Sequence, residues 1–315
     1  MKKLVVIGEI LVEIMADERG EGFREPIALT GPFPSGAPAI FVDQAARLGQ
    51  PSAIISAVGD DDFGRLNIDR LRADGVDVSG ITRDADRPTG SAFVRYRADG
   101  ARDFVFNIKH SACGRLRMEH NAKSVLNAAD HLHVMGSSLS TTEFIAVNLD
   151  AAQAVRARGG TVSFDPNLRK EILDAPDLRD AMTSILALTD LYLPSGDELT
   201  LLSTATDENA AIAELLAQGV RAIVHKQGAT GARYVSGQHD VFVPAFDVEE
   251  VDPTGAGDCF GATFTTLWLR GHAPREALVA AAAAGALAVT RRGPMEGVSD
   301  PSTLESFMAA QTVAS

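Results

Sequence analysis

Asp252-Pro253-Thr254-Gly255-Ala256-Gly257-Asp258 runs straight into an apolar stretch at 259–269. A turn of small residues that opens a helix leaves several backbone N–H groups without intrahelical partners, aimed at one point and reinforced by the helix dipole. Such a point attracts an anion. Asp258 falls within the first helical turn, where the same positive end favours its ionised form and keeps a carboxylate available as a base. A hydroxyl beside Asp258 and a phosphoryl group over Gly255, Ala256 and Gly257 would stand in reacting position. The plainer reading is a helix start whose glycines only permit close packing. Two familiar nucleotide patterns are missing: Gly261 comes one residue late for the dinucleotide fingerprint, and no Gly-x4-Gly-Lys-Ser/Thr run occurs.

Outward from this stretch, β-branched runs alternate with helix-period stretches, the mark of an α/β chain whose parallel sheet is covered on both faces. The pattern predicts buried strands over 4–7, 53–58, 131–135, 161–165, 191–193 and 222–225. It predicts helices over 38–48, 63–74, 143–158, 207–218, 255–269 and 274–290. Two regions break the rhythm. Residues 9–13 with 27–30, and 91–96 with 104–108, read as extended segments without intervening helices, the second pair joined by a turn at Ala98-Asp99-Gly100. An antiparallel insert of this kind is a candidate lid; an edge hairpin is the simpler alternative. The alanine run at 280–284 predicts a helix packed closely on a neighbour.

Composition narrows the function classes. The 315 residues carry 29 Lys and Arg against 42 Asp and Glu, a formal net charge of −13. Basic pairs such as Lys2-Lys3 and Arg291-Arg292 are isolated, which argues against a nucleic-acid or membrane-surface partner. Backbone amides can still hold a small phosphorylated ligand. Cys113 and Cys259 fit neither a disulfide framework nor a zinc site and suggest a reducing, cytoplasmic setting. Glu9 and Glu13 interrupt the N-terminal apolar run and argue against a signal peptide. His131 and His133 alternate on one predicted strand, and without a third ligand a structural role outweighs a metal pair. Asp60-Asp61-Asp62 reads as a helix cap.

The stretch 252–258 resembles the C-terminal signature of the ribokinase (PfkB) family of carbohydrate kinases, and further motifs follow in that family's order. Ser35-Gly36-Ala37-Pro38-Ala39, running to Ala46-Arg47-Leu48-Gly49, is similar to its N-terminal glycine-rich signature. Asp165-Pro166-Asn167-Leu168-Arg169 resembles the Asp-x-Asn-x-Arg segment of fructokinases and 2-keto-3-deoxygluconate kinases. Gly228-Ala229-Thr230-Gly231 resembles the phosphate-side nucleotide turn, and 286–290 the last nucleotide-flanking helix. The resemblance implies one ribokinase-like domain over 1–315: a three-layer αβα sandwich with a mostly parallel central sheet and a small β-sheet lid, its segments near 9–30 and 89–112.

The activity implied is transfer of the γ-phosphate of ATP to a sugar hydroxyl. By the resemblance, Asp258 is the base, Gly255, Ala256 and Gly257 form the anion hole, and Arg169 bridges phosphate and substrate. Glu13, Ser35, Gly36, Ala37, Ile40, Phe106 and Asn167 would join Asp258 around the sugar. Lys226, Gly228, Gly231, Thr254 and Ala282, with Gly255 and Gly257, would hold the nucleotide. Glu198, in Pro194-Ser195-Gly196-Asp197-Glu198, would order Mg²⁺ through water. Asp252 with the 291–297 turn would flank a monovalent cation, K⁺. The outer face of a lid sheet is a candidate surface for pairing two copies.

Departures from the family pattern gather around the acceptor: Ser35 for a glycine, Ile40 for an asparagine, Glu13 for an aspartate. Ala282 replaces an asparagine near the nucleotide. They argue for altered substrate preference over lost catalysis, with a non-catalytic sugar or nucleotide sensor as the alternative. Sugar-acid kinases of the family place tyrosines and an arginine where this chain has Ala92, Phe106 and Ile108. A neutral ketohexose such as fructose or tagatose therefore fits better than 2-keto-3-deoxygluconate, unless Asn107, Lys109 or Arg95 serves the carboxylate from a shifted register.

Overall fold

The computed structural model describes residues 1–168 and 178–313. Its first strand, β1 (Leu4–Ile7), is an unbroken apolar run with every side chain buried. Leu4 and Val6 enter one hydrophobic cluster, Val5 and Ile7 another. A strand covered on both faces has no solvent side, so polar alternation is absent.

The strands that follow are β2 (Leu11–Ala16), β3 (Leu29–Ser35), β4 (Ser52–Gly59), β5 (Ile81–Asp84), β6 (Gly90–Tyr96) and β7 (Arg102–Asn107), then β8 (His131–Met135), β9 (Thr161–Asp165), β10 (Leu191–Tyr192), β11 (Ala222–Lys226), β12 (Gly231–Ser236) and β13 (Asp240–Pro244). The helices among the described residues are α1 (Ala37–Arg47), α2 (Asp62–Ala73), α3 (His120–Asn127), α4 (Thr142–Ala157), α5 (Leu178–Leu186), α6 (Glu198–Leu201), α7 (Glu208–Ala217), α8 (Ala256–Leu269), α9 (Pro274–Val289) and α10 (Pro301–Val313).

Nine strands form the central sheet in the order β13-β12-β11-β10-β9-β8-β1-β4-β5. Every pairing from β11 through β5 is parallel, and β12 and β13 add an antiparallel edge. Helices α3, α4, α5 and α7 cover one face; α1, α2, α8, α9 and α10 cover the other. This is the three-layer α/β arrangement anticipated for the chain. It brings the carboxyl ends of the parallel strands to one edge, where ligands of open α/β sheets gather.

The alanines of α9 let it lie close against α8, and a Cβ on Gly285 would stand 3.3 Å from the Ala256 carbonyl. Close packing was the reading of that run. Asp61 caps α2 by accepting from Gly64 N–H at 2.8 Å, and it also receives the amide and hydroxyl of Thr89 at the root of β6. No helix among the described residues is long and apolar enough to cross a membrane.

The second sheet has the order β3-β2-β6-β7. Here one expectation is corrected, because β2 and β6 run parallel and only the flanking pairs are antiparallel. The cause lies in the central sheet. β2 continues from β1 and β6 from β5, and those two strands leave the central sheet in the same direction. The shared edge fixes a common heading before either segment pairs.

The six predicted strands and six predicted helices all form, with ends shifted by a residue or two. Pattern reading missed β5, a short edge strand with polar residues, and the β12–β13 hairpin. It also missed α3, α5 and α10, whose burial depends on neighbours distant in sequence.

Candidate active site

Gly255 opens α8 with φ +83°, and a Cβ there would meet the Pro294 carbonyl at 2.5 Å. The left-handed conformation and the close approach together require glycine. Among the described residues, the amides of Gly255 and Gly257 donate to no protein acceptor, and Ala256 N–H reaches the Pro253 carbonyl only at 3.4 Å. Gly257 is exposed. These amides at the start of a 14-residue helix are the unsatisfied donors that the sequence led us to expect. Asp258, 5 % exposed, sits beside them in the first turn.

Asn167 comes to this point from the end of β9. Its Nδ2 donates to Asp258 Oδ1 at 3.1 Å, its backbone N–H donates to Asp165 Oδ1 at 3.1 Å, and its φ is +38°. A non-glycine residue in the left-handed region is strained, and here the Asp165 acceptor and the Asp258 contact hold it there. Asp165 also receives the Lys226 ammonium through its other oxygen, a buried ion pair between β9 and the end of β11. The Lys226 Nζ lies 3.8 Å from where a Cβ on Gly257 would be. Lys226 thus brings a positive charge to the edge of the amide-lined loop.

Glu198 is fixed by two backbone donors: Leu168 N–H reaches one carboxylate oxygen at 2.7 Å and Ser195 N–H the other at 2.8 Å. Burial, followed by the nearby charge of Asp165, raises its pKa above the usual carboxylate range. The carboxylate is a clamp between the segments that follow β9 and β10. Asp252 is equally engaged. It accepts from Tyr96 OH at 2.6 Å, Thr254 N–H at 3.0 Å and Gly293 N–H at 2.9 Å. Burial and Asp252 push the Tyr96 phenol pKa up, so the hydroxyl remains a donor, and it ties β6 of the small sheet to the loop.

Between the two sheets lies a cleft of about 200 Å³. Glu13, Ser35, Ala92 and Phe106 of the small sheet line it, with Ile108 and Lys109 just after β7, and Glu9, Gly36 and Ala37 line it from the segment that leads to β2 and the start of α1. Glu9 accepts from Ser137 Oγ at 2.9 Å and Ser138 Oγ at 2.6 Å, and Glu13 from Ser35 Oγ at 3.2 Å. Gly36, with φ +113°, caps α1 where a Cβ would meet the Glu9 carbonyl at 2.5 Å. Contacts connect the cleft with the loop: Ser137 and Ser138 follow Gly136, whose Cβ position is filled by the Pro166 carbonyl, and Pro166 precedes Asn167.

Not every residue named from the sequence lies in these two places. Ile40 is buried at 2 % exposure and packs beneath Gly255 instead of lining the cleft. Gly231 is buried at the start of β12, where a Cβ would strike the Val243 carbonyl at 2.2 Å, a requirement of the hairpin. Gly228 is on the exposed turn two residues beyond Lys226. Thr254 is buried beside Tyr96, with their oxygens 3.1 Å apart. Ala282 packs against the cluster that holds Phe260 and Phe264. Arg169 lies outside the described residues. Arg95 is turned away from the cleft and binds Glu25 and the carbonyls of Glu21 and Gly22. The two histidines of β8 are buried and bonded to Thr161 and Ser163 hydroxyls; burial lowers the His131 pKa to about 3.

Sequence reasoning missed Glu9, Ser137, Ser140 and Tyr96 as site residues. Glu9 had a signal, since a carboxylate ending an otherwise apolar strand needs a partner or a ligand. The others had none.

The family model of the pfkB family carbohydrate kinases matches residues 1–301. The chain belongs to the PfkB family. As a PfkB carbohydrate kinase it is a sugar phosphotransferase, and its relatives agree. It is 34% identical to a fructokinase of Klebsiella pneumoniae, over 93% of this chain and 95% of that one. It is 32% identical to a 2-dehydro-3-deoxygluconokinase of Thermoproteus tenax, over 98% and 95%. Among solved structures, an E. coli candidate ribokinase II in complex with ATP and Mg²⁺ superposes with a TM-score of 0.94 at 50% identity, covering 98% of this chain and 100% of that one. The ribokinase-like fold expected from the sequence is therefore the fold found.

Proposed function

We propose that this kinase transfers the γ-phosphoryl group of ATP to a hydroxyl of a ketohexose, fructose or tagatose. The observation that carries the reading is the pairing of a buried carboxylate, Asp258, with the uncommitted amides of Gly255 and Gly257. Asp258 takes the proton of the acceptor hydroxyl as that oxygen bonds to the γ-phosphorus. The bond to the β–γ bridging oxygen breaks and ADP departs. Positioning and charge stabilisation are most of what phosphoryl transfer asks of a protein, and the loop amides with Lys226 supply donors for the charge on the transferred group. Arg169, two residues past Asn167, is assigned to the same phosphate by its place in the motif.

Mg²⁺ bound with ATP would neutralise phosphate charge. Glu198 suits an outer role there, because both its oxygens are held by backbone donors and it can order the waters that Mg²⁺ retains. Asp252 already serves three donors, so K⁺ near it would rest chiefly on main-chain carbonyls of the 291–297 turn. The reaction is assigned to the cytoplasm, in keeping with two buried free thiols.

Glu9 and Glu13 favour a hydroxyl-rich neutral acceptor, since carboxylates accept hydroxyl hydrogen bonds and repel an anionic substrate. The apolar Ala92, Phe106 and Ile108 on the same lining offer no partner for a carboxylate. A second reading, 2-keto-3-deoxygluconate, draws on Lys109, which does line the cleft. ADP release measured over ketoses and keto-acids should separate them. The highest kcat/KM is expected with fructose or tagatose; a preference for the keto-acid that is lost in Lys109→Met would reverse the assignment.

We assign the small sheet the role of a lid that closes over the sugar. Saturating sugar should then slow amide exchange across residues 91–109, and unchanged exchange there would remove the lid role. The same sheet exposes Leu29 and Val105, at 40% and 51%, and pairing of two copies through this face belongs to the reading. Sedimentation at micromolar concentration should give a dimer; a mass of one chain would exclude it.

A further inference from the structure

A cavity of about 520 Å³ adjoins the acceptor cleft and shares two wall residues with it, Lys109 and Ser140. Its charge is opposite to that of the whole protein. In a chain with a formal net charge of −13, the described residues of this wall include Arg87, Lys109, Arg115 and Arg117, with His110 beside them, against a single carboxylate, Glu143. Arg115 is spoken for by Asp84 and Asp86, at 3.0 and 3.5 Å. The side chains of Arg87, Lys109, His110 and Arg117 make no ion pair or hydrogen bond among the described residues.

Grouped cations without counter-charges repel one another and raise the local concentration of anions. Guanidinium groups are suited to phosphate, which they can bind through two parallel hydrogen bonds. The hydroxyls of Ser140 and Thr142 add neutral donors on the same wall. The volume falls within the roughly 300–1,000 Å³ typical of small-molecule sites, well above the space one inorganic ion needs.

We propose that this cavity is a second anion site, separate from the loop at residues 255–257, which takes a small molecule bearing a phosphate group and acts on the acceptor cleft through Lys109 and Ser140. The occupant draws the Lys109 ammonium toward its phosphate and away from the cleft it also lines. Affinity for the acceptor then changes with occupancy, although the reacting groups at Asp258 are untouched.

Calorimetric titration tests this with the enzyme saturated by a non-hydrolysable ATP analogue, so that the 255–257 loop is filled, at fixed ionic strength. One arm uses inorganic phosphate and the other glycerol 3-phosphate; tighter binding of the ester identifies an organic phosphate as the occupant, and equal binding identifies free phosphate. Saturable binding is expected, weakened about tenfold or more in Arg117→Gln and in the Arg87→Gln/Arg117→Gln pair, by loss of charge-assisted hydrogen bonds. Neither residue lines the acceptor cleft, so sugar kinetics without added phosphate should match the wild type. Arg117 is exposed and has no ion pair among the described residues, so its single variant remains informative if the pair fails to fold. With the ligand present, the acceptor KM of the wild type should shift by about fivefold or more. No binding above a chloride control, or equal binding by both variants, overturns the site; binding without a KM shift overturns its action on the cleft. Binding is read without turnover, so failure here leaves the kinase reading standing.

Discussion

Asp258→Asn is expected to lower turnover by roughly two to four orders of magnitude while ATP still binds. The substitution keeps the shape and the hydrogen bond with Asn167 but removes the basicity on which proton removal depends. Asp258 is buried in the first turn of α8, beside amides that have no acceptor among the described residues. The proposed base and the proposed donors are therefore in one place, and the donors would not need the base in order to hold phosphate. Nucleotide affinity should stay within a few-fold of the wild type. Single-turnover ADP formation with saturating sugar separates these effects. Near-normal turnover in the variant would transfer the base to another residue, and a collapse of ATP affinity would mean that Asp258 organises the loop instead of the acceptor.

What could be read from the sequence was whatever the chain states locally. The run Leu4-Val5-Val6-Ile7 identifies a strand covered on both sides because each of its side chains must leave water, and no partner need be known. Asp165 and Asn167 were placed together by the resemblance to the family's Asp-x-Asn-x-Arg segment, and the bond from Asn167 N–H to Asp165 Oδ1 makes that spacing a local contact. Position on the small sheet was harder. Alternation puts Ala92 toward the cleft and Arg95 away from it, and this follows from the register with β2 and β7. Lys109 comes after β7 ends, so alternation does not govern it, and it reaches the cleft that Asn107 does not line. Ile40 shows the converse. The family motif put it near the acceptor, but α1 turns an apolar residue inward, under Gly255, because the core there offers burial that the cleft does not. Glu9 and Tyr96 find their partners more than a hundred residues away, a distance over which local pattern carries no information.

Lys226→Met is expected to cost about 3–5 kcal/mol of stability at neutral pH, the usual consequence of removing one partner of a buried ion pair. Asp165 is 1% exposed and Lys226 supplies its counter-charge. Without it the Asp165 carboxylate keeps, among the described residues, the Asn167 N–H, and Glu198 loses a positive charge that now opposes the effects of burial and Asp165. The pH dependence follows from the sign of the Glu198 shift. Its pKa in the folded protein is already raised, so its contribution to stability is full below the unfolded value of about 4.3 and is lost as pH rises through the folded value. Removing Lys226 raises that folded pKa further and widens the window in which stability falls with rising pH. The difference in unfolding free energy between variant and wild type should therefore be largest at neutral pH and shrink as pH is lowered toward 5. The double variant Asp165→Asn/Lys226→Met should regain a substantial part of the loss, since it leaves no unpaired buried charge between β9 and β11. Urea unfolding of the three proteins across this pH range measures each quantity. A penalty that is small and independent of pH would mean that water or a rearranged neighbour already neutralises Asp165, and the positive charge at the rim of the phosphate loop would then have to come from elsewhere.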